Sequence, residues 1–169
     1  DGVIRGAALF GYVAVFLTSL ASNYMVELTR YFGRPFVKVH HVVSVAALVA
    51  LAAHAVSVAW RAGTPAVFVP AVNSLRSFLS LGGRPAFWLL AVTSLTALFR
   101  TTIGKSWKQI HWLNYIAFFL GTVHGQMIGT SFEHLGVRVV SILMAVGLVV
   151  VFVLKRRTEY LRRQRRRSR

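Results

Sequence analysis

Residues 40–54 read HHVVSVAALVALAAH, an uninterrupted apolar run closed by histidine at both ends. It belongs to a longer segment, residues 39–60 between Lys38 and Arg61, that contains no Asp, Glu, Lys or Arg. A bilayer core of ~30 Å is crossed by ~20 apolar helical residues. The segment therefore reads as a transmembrane helix with ionisable side chains inside it, and such groups are costly in lipid and usually functional.

Working outward, residues 6–26 between Arg5 and Glu27, and residues 109–132 between Lys108 and Glu133, are also free of formal charge. Two shorter runs, 85–99 and 139–154, reach spanning length if the flanking Arg84 or Arg100, and Arg138 or Lys155, snorkel to the headgroups. An all-α integral membrane protein is expected, a bundle of about five helices near 4–28, 36–60, 85–103, 108–130 and 136–154. Residues 1–154 form its transmembrane domain and residues 155–169 a basic cytoplasmic tail. Pro35 and Pro85 mark helix starts, where the missing N–H does no harm. The Gly- and Pro-rich stretch 63–83 reads as a loop with a short interfacial helix around Val72–Leu81. Residues 6–26 lack a following cleavage site and read as a mature span rather than a signal peptide.

Composition agrees with this class. Of 169 residues 56% are hydrophobic, and the mean hydropathy is +0.60. Asp1, Glu27, Glu133 and Glu159 are the only acids, which argues against paired-carboxylate chemistry. Cysteine is absent, excluding thiolate clusters and covalent c-type heme attachment. The net charge of +16 is not a nucleic-acid footprint, because nine of the twenty basic residues follow the last apolar run, between Lys155 and Arg169. Such a tail is an orientation signal that also meets anionic membrane lipids. With the C-terminus cytoplasmic, five spans put the N-terminus outside, and Arg30, Arg34, Lys38, Arg100, Lys105 and Lys108 join the tail inside. Only Arg5, Arg61, Arg76, Arg84 and Arg138 face out.

Four of the six histidines fall in two spans, His40 or His41 with His54, and His111 with His124. Fourteen helical residues rise ~21 Å and end ~40° short of four turns, so His40 and His54 share a face at two depths. The thirteen residues from His111 to His124 rise ~19.5 Å, a matching separation, but end ~140° from the starting face. A helix irregularity or a rotated ligand must absorb that mismatch. Both helices run the same way, so His40 can face His111 near the cytoplasmic side and His54 can face His124 near the outer side. Each pair offers two axial nitrogens to one heme iron, with hemes lying between the second and fourth helices. His41 is a substitute for His40, or a headgroup-facing residue. His134 reads as a polar loop residue or a contact for quinone or acceptor. Gly121 and Gly125 beside His124, with Ala47, Ala50 and Ala53 towards His54, leave room for a macrocycle or serve close helix packing. Phe118, Phe119 and Trp112 are heme contacts or plain packing. The competing reading of all four histidines is interhelical hydrogen bonding in a heme-free binding or scaffold protein.

The stretch LAVTSLTALFRTTIGKSWKQIHWLNYIAFFLGTVH, residues 90–124, resembles the ferric reductase-like transmembrane domain family, which includes ferric reductases, NADPH oxidases and the heme-binding membrane subunit of a bacterial methionine-sulfoxide reductase system. It is most similar to that bacterial subunit in its Thr-Ser, Gly, Trp-Lys, His, Tyr, His order. Residues 40–54 are more similar to the NADPH oxidases, with their fourteen- and thirteen-residue histidine pairs, whereas the bacterial subunits commonly have arginine near the first histidine. The resemblance covers roughly residues 30–130. It implies a b-type cytochrome in a prokaryotic plasma membrane, with heme b on His40, His54, His111 and His124, two hemes or one depending on His40.

The large reductases of this family continue into FAD and NADPH domains, and these 169 residues hold no dinucleotide-binding glycine pattern, so the electron donor is expected to be a separate protein, a quinol or part of a longer parent chain. The expected role is thus an oxidoreductase component, an electron-transfer subunit taking electrons from a separate cytoplasmic flavoprotein or a quinol, with the flavin or quinone held by the partner, to an acceptor outside. Alternatives are a single-heme subunit supplying a periplasmic reductase, and direct ferric or oxygen reduction at the outer heme, where Arg61, Arg76 and Arg84 would attract an anionic chelate.

Overall fold

A computed structural model describes residues 2–167; Asp1 and the last two residues of the basic tail, Ser168 and Arg169, lie outside the described residues. The described residues form helices and connecting turns, with no strand. The α-helices are α1 (Gly2–Asn23), α2 (Met25–Phe32), α3 (Pro35–Ala62), α4 (Leu75–Ser80), α5 (Gly83–Leu98), α6 (Arg100–Ile103), α7 (Trp107–His111), α8 (Leu113–Ile128) and α9 (Leu135–Arg167). Three of them, Gly2–Asn23, Pro35–Ala62 and the Leu135–Arg162 part of α9, are long and apolar enough to cross a membrane. Gly83–Leu98 and Arg100–Ile128 meet the same standard only together, as a pair bent by 81°.

Local chemistry explains the boundaries. Pro35 stands in the first turn of α3, and Gly63 ends that helix in the left-handed region at φ 62°, its N–H donating to the Ala59 and Trp60 carbonyls. The following loop is capped twice by side chains: Thr64 accepts from Ala66 N–H and Ser74 accepts from Ser77 N–H. The interfacial helix expected around Val72–Leu81 is shorter, Leu75–Ser80. The first expected span breaks at Tyr24, so its tail becomes the separate helix α2. The basic tail continues α9 as helix through Arg167.

Side-chain contacts give the relative directions of the helices. Arg5 bonds Ser131, Tyr12 meets Thr122 at 3.0 Å and Asn23 donates to Tyr115 OH at 2.9 Å, so α1 and α8 run antiparallel. A Cβ on Gly11 would lie 2.6 Å from Leu51 and 3.2 Å from the Ala47 carbonyl, while His54 meets Ile4, so α3 also runs antiparallel to α1. Hence α3 and α8 are parallel to each other. Ser80 against His124 and Thr93 beside His111 set α5 antiparallel to α8. Tyr12 near Ser141 and Glu27 bonded to Lys155 set α9 parallel to α1.

The interior is thin. Ala14, Val15, Ala47, Ala86, Leu90, Ala117, Phe118 and Leu148 make its buried apolar centre. The outward surface carries Val42, Val45, Val49 and Val56 of α3 and Leu143, Val146, Val150 and Val153 of α9, all exposed. Apolar faces of that extent have no place in water and suit lipid as the solvent.

Candidate heme-ligand histidines

The two histidine-bearing helices belong to different packed pairs: α3 lies mainly against α1, and α8 mainly against α5. Between those pairs, His40 is within electrostatic range of His111, and His54 within range of His124. All four rings are partly buried. The pairing is the one the parallel direction of α3 and α8 requires, with His54 and His124 towards the Arg5–Ser131 end and His40 and His111 towards the Glu27–Lys155 end.

His54 Nδ1–H donates to the Ile4 carbonyl at 3.3 Å, and His124 Nδ1–H to the Ser80 carbonyl at 2.8 Å. A backbone acceptor on Nδ1 fixes the tautomer and leaves the Nε2 lone pair available, the arrangement seen behind metal-bound imidazoles. Gly83 matters at this point. A Cβ there would fall 3.0 Å from both Nε2 and Cδ2 of His124, so glycine lets the start of α5 pack directly against the imidazole. His111 Nδ1 is 3.5 Å from the Thr93 carbonyl, the limit of a hydrogen bond, and the Asn114 amide nitrogen lies 3.3 Å from His111 Nε2. Asn114 is itself held by the fully buried Thr93 hydroxyl. His40 Nδ1 is buried with no hydrogen-bond partner.

The ~140° mismatch expected on the fourth span meets a real irregularity. α7 ends at His111, Trp112 N–H donates to the Gln109 carbonyl, and Tyr115 N–H donates back to the Trp112 carbonyl. Bonds of that i to i−3 type turn ~120° per residue instead of ~100°. The break rotates His111 in the needed direction and covers part of the difference.

The other candidates lie elsewhere. His41 is exposed on the outward groove of α3 with Val42, Val45 and Val49. His134 is an exposed loop residue. Ala47 is packed on α1, Ala50 and Ala53 line the outward groove, and Gly125 is filled by the Phe132 ring, whereas a Cβ on Gly121 would meet nothing within 4 Å. Phe118 stacks on Tyr12 at 4.9 Å. Arg84 donates to the Ala66 and Val69 carbonyls and Trp88 to that of Phe68, so both clasp the loop after α3.

The backbone partners Ile4, Ser80 and Thr93, and the residues Gly83 and Asn114, are not among the site residues expected from the sequence. Only Asn114 had a usable signal there, three residues after His111 on the same helical face. Carboxylates stand apart: Glu27 bonds Lys155, which holds its carboxyl below the ordinary value, Glu159 bonds Arg156, and Glu133 is exposed. Among the described residues no three His, Cys, Asp or Glu side chains converge on a point. Bis-histidine heme ligation takes two protein nitrogens per iron, and His54 and His124, each bonded through Nδ1 and with no hydrogen bond on Nε2, are the pair whose chemistry fits that group. No protein-family model matches the chain, and no curated protein or solved structure matches it.

Proposed function

We propose that the chain is a b-type membrane cytochrome that carries electrons across a bilayer between a donor on the basic-tail side and an acceptor on the opposite side. One observation supports this reading: two parallel helices from different packed pairs place His40 within electrostatic range of His111 and His54 within range of His124, at levels ~21 Å apart on α3. His40 and His111 would hold one heme b, and His54 and His124 the other. Heme held by these residues would supply one-electron iron chemistry. The protein's part is to fix the His54 and His124 rings through the Ile4 and Ser80 carbonyls, leaving their Nε2 lone pairs unbonded, and to keep water out with the apolar centre and the clasped loop.

In this reading the chain crosses the membrane five times. Gly83–Ile103 and Trp107–Ile128 span ~31 Å and ~33 Å if helical throughout, and the alternating directions of α1, α3, α5, α8 and α9 support separate passes. The basic tail puts the C-terminus in the cytoplasm and the N-terminus outside. A cytoplasmic flavoprotein or a membrane quinol is the donor. The resemblance to the ferric reductase-like family supports the same role.

Pyridine hemochrome analysis of protein purified from heme-replete membranes should give two b hemes per chain. Protein that is heme-free and takes up no added heme would sink the reading. The unpartnered His40 Nδ1 favours, as second reading, one heme on His54 and His124 feeding an outer reductase. A stoichiometry of one, unchanged by His40→Ala, selects it.

A further inference from the structure

Between α8 and α9 runs an apolar groove of about 300 Å³ lined by Trp112, Tyr115, Ile116, Phe119, Val149 and Phe152. It opens outward, with Trp112 42% and Ile116 51% exposed. Arg156 stands at its end, its guanidinium 4.3 Å from the Trp112 ring centre and 5.2 Å from that of Phe152. One edge of that guanidinium is used: NH1 donates to Glu159 at 2.9 Å. Nε is buried and has no acceptor. The side chain is still 40% exposed, so an incoming acceptor can reach its tip.

The exposed tip of the guanidinium can take a phosphate oxygen, the acceptor that best matches it, and its positive charge favours a headgroup of net negative charge. Below Arg156, from Trp112 to Phe119, the groove descends ~10 Å into the apolar layer. The order of parts, cation at headgroup level and aromatic and aliphatic channel beneath, is that of an anionic lipid. A soluble anion would use the cation and leave the channel empty. An acyl chain alone would use the channel and ignore the cation.

We infer that the α8–α9 groove binds one anionic phospholipid, its phosphate on Arg156 and an acyl chain along Trp112, Ile116 and Phe119. This rests on the chain lying in a bilayer and is independent of heme. The lipid would brace the α7–α8 break at Trp112, the turn that orients His111.

The test uses the purified full chain in vesicles doped with brominated phosphatidylglycerol or brominated phosphatidylcholine. Trp112 emission is isolated by subtracting Trp112→Phe from wild type, since Trp60, Trp88 and Trp107 also emit. The brominated anionic lipid should quench Trp112 at about fivefold lower mole fraction than the zwitterionic one, as one basic contact near the surface provides. That preference should vanish in Arg156→Gln, persist in Arg157→Gln, and shrink in Ile116→Phe, which fills the channel while keeping the charge. Excess inorganic phosphate should leave it unchanged. Equal quenching by the two lipids, a preference retained in Arg156→Gln, or displacement by phosphate overturns the inference. Failure of either lipid to quench any tryptophan would instead overturn the membrane reading itself.

Discussion

The two ends of the bundle treat the same residue type differently. At the Arg5–Ser131 end, His54 and His124 are tied by Nδ1 to backbone carbonyls at 3.3 and 2.8 Å, under a loop clasped by Arg84 and Trp88. At the Glu27–Lys155 end, His40 Nδ1 has no partner, His111 Nδ1 reaches the Thr93 carbonyl only at 3.5 Å with the Asn114 amide against its ring, and the helices break at Tyr24, Phe99 and Trp112. A backbone carbonyl orients an imidazole before any ligand arrives, whereas an unpartnered ring must be ordered by the ligand itself. Preorganisation of that kind separates sites that hold their ligand tightly from sites that exchange it.

The largest expected effects break this contrast outright. His124→Ala and His54→Ala should each remove one heme b per chain and abolish electron transfer from an inside reductant to an outside oxidant in vesicles. His40→Ala tests the looser end. Retention of both hemes there, followed by loss of one in the His40→Ala, His41→Ala double variant, would assign the rescue to His41, which sits one residue along at a ring separation of 6.0 Å. Loss of one heme in the single variant would make His40 the ligand without rescue. Heme content by hemochrome and vesicle-based optical reduction measure both.

Much of this was legible in residues 40–54 and 111–124. Histidine depth follows from helical rise alone, so the pairing of levels required only that the two helices run the same way. Long charge-free runs located α1, α3 and α9 because lipid admits few charges. What could not be read was set by tertiary contact. The carbonyls on His54 and His124 come from residues fifty and forty-four positions away, and backbone groups leave no signature in side-chain type. Gly83 carried no more signal than any other loop glycine until His124 was seen beside it. The break at Trp112 has no proline or glycine to announce it; it was visible only as an angular mismatch of thirteen residues. Of the small residues near the histidines, Ala47 and Gly125 serve the packing alternative, against α1 and the Phe132 ring, while Gly121 opens onto space.

A smaller effect should sharpen the contrast at the looser end. Thr93 is fully buried, its hydroxyl set between the Leu90 carbonyl at 3.0 Å and the Asn114 amide oxygen. Thr93→Val keeps the shape and deletes the hydroxyl, so the Asn114 amide loses its anchor beside His111. An unsatisfied buried polar group costs about 1–3 kcal/mol, to be read as reduced resistance to thermal unfolding in detergent. If the chain holds the two hemes proposed, the electron paramagnetic resonance signal of the one assigned to His111 should shift with it, and that of the one assigned to His54 and His124 should not. Equal shifts in both would mean that the two ends are not independent.

The smallest expected effect concerns the tie between α2 and α9. Glu27 accepts from Lys155, whose ammonium also lies 4.9 Å from the Tyr24 ring centre. The hydrogen bond from Lys155 lowers the Glu27 carboxyl below its ordinary value. A carboxyl with a lower folded than unfolded value stabilises fully above the unfolded value of about 4.3 and loses that contribution as pH falls through the folded one. The Glu27 side chain is 50% exposed, so solvent screens the pair and its worth is at most about 1 kcal/mol. Glu27→Gln should therefore lower thermal stability slightly near neutral pH, less so at high salt, and match wild type once pH falls well below the carboxylate range. A deficit that persisted in acid would show that Glu27 acts through packing at the α1–α2 break rather than through its charge.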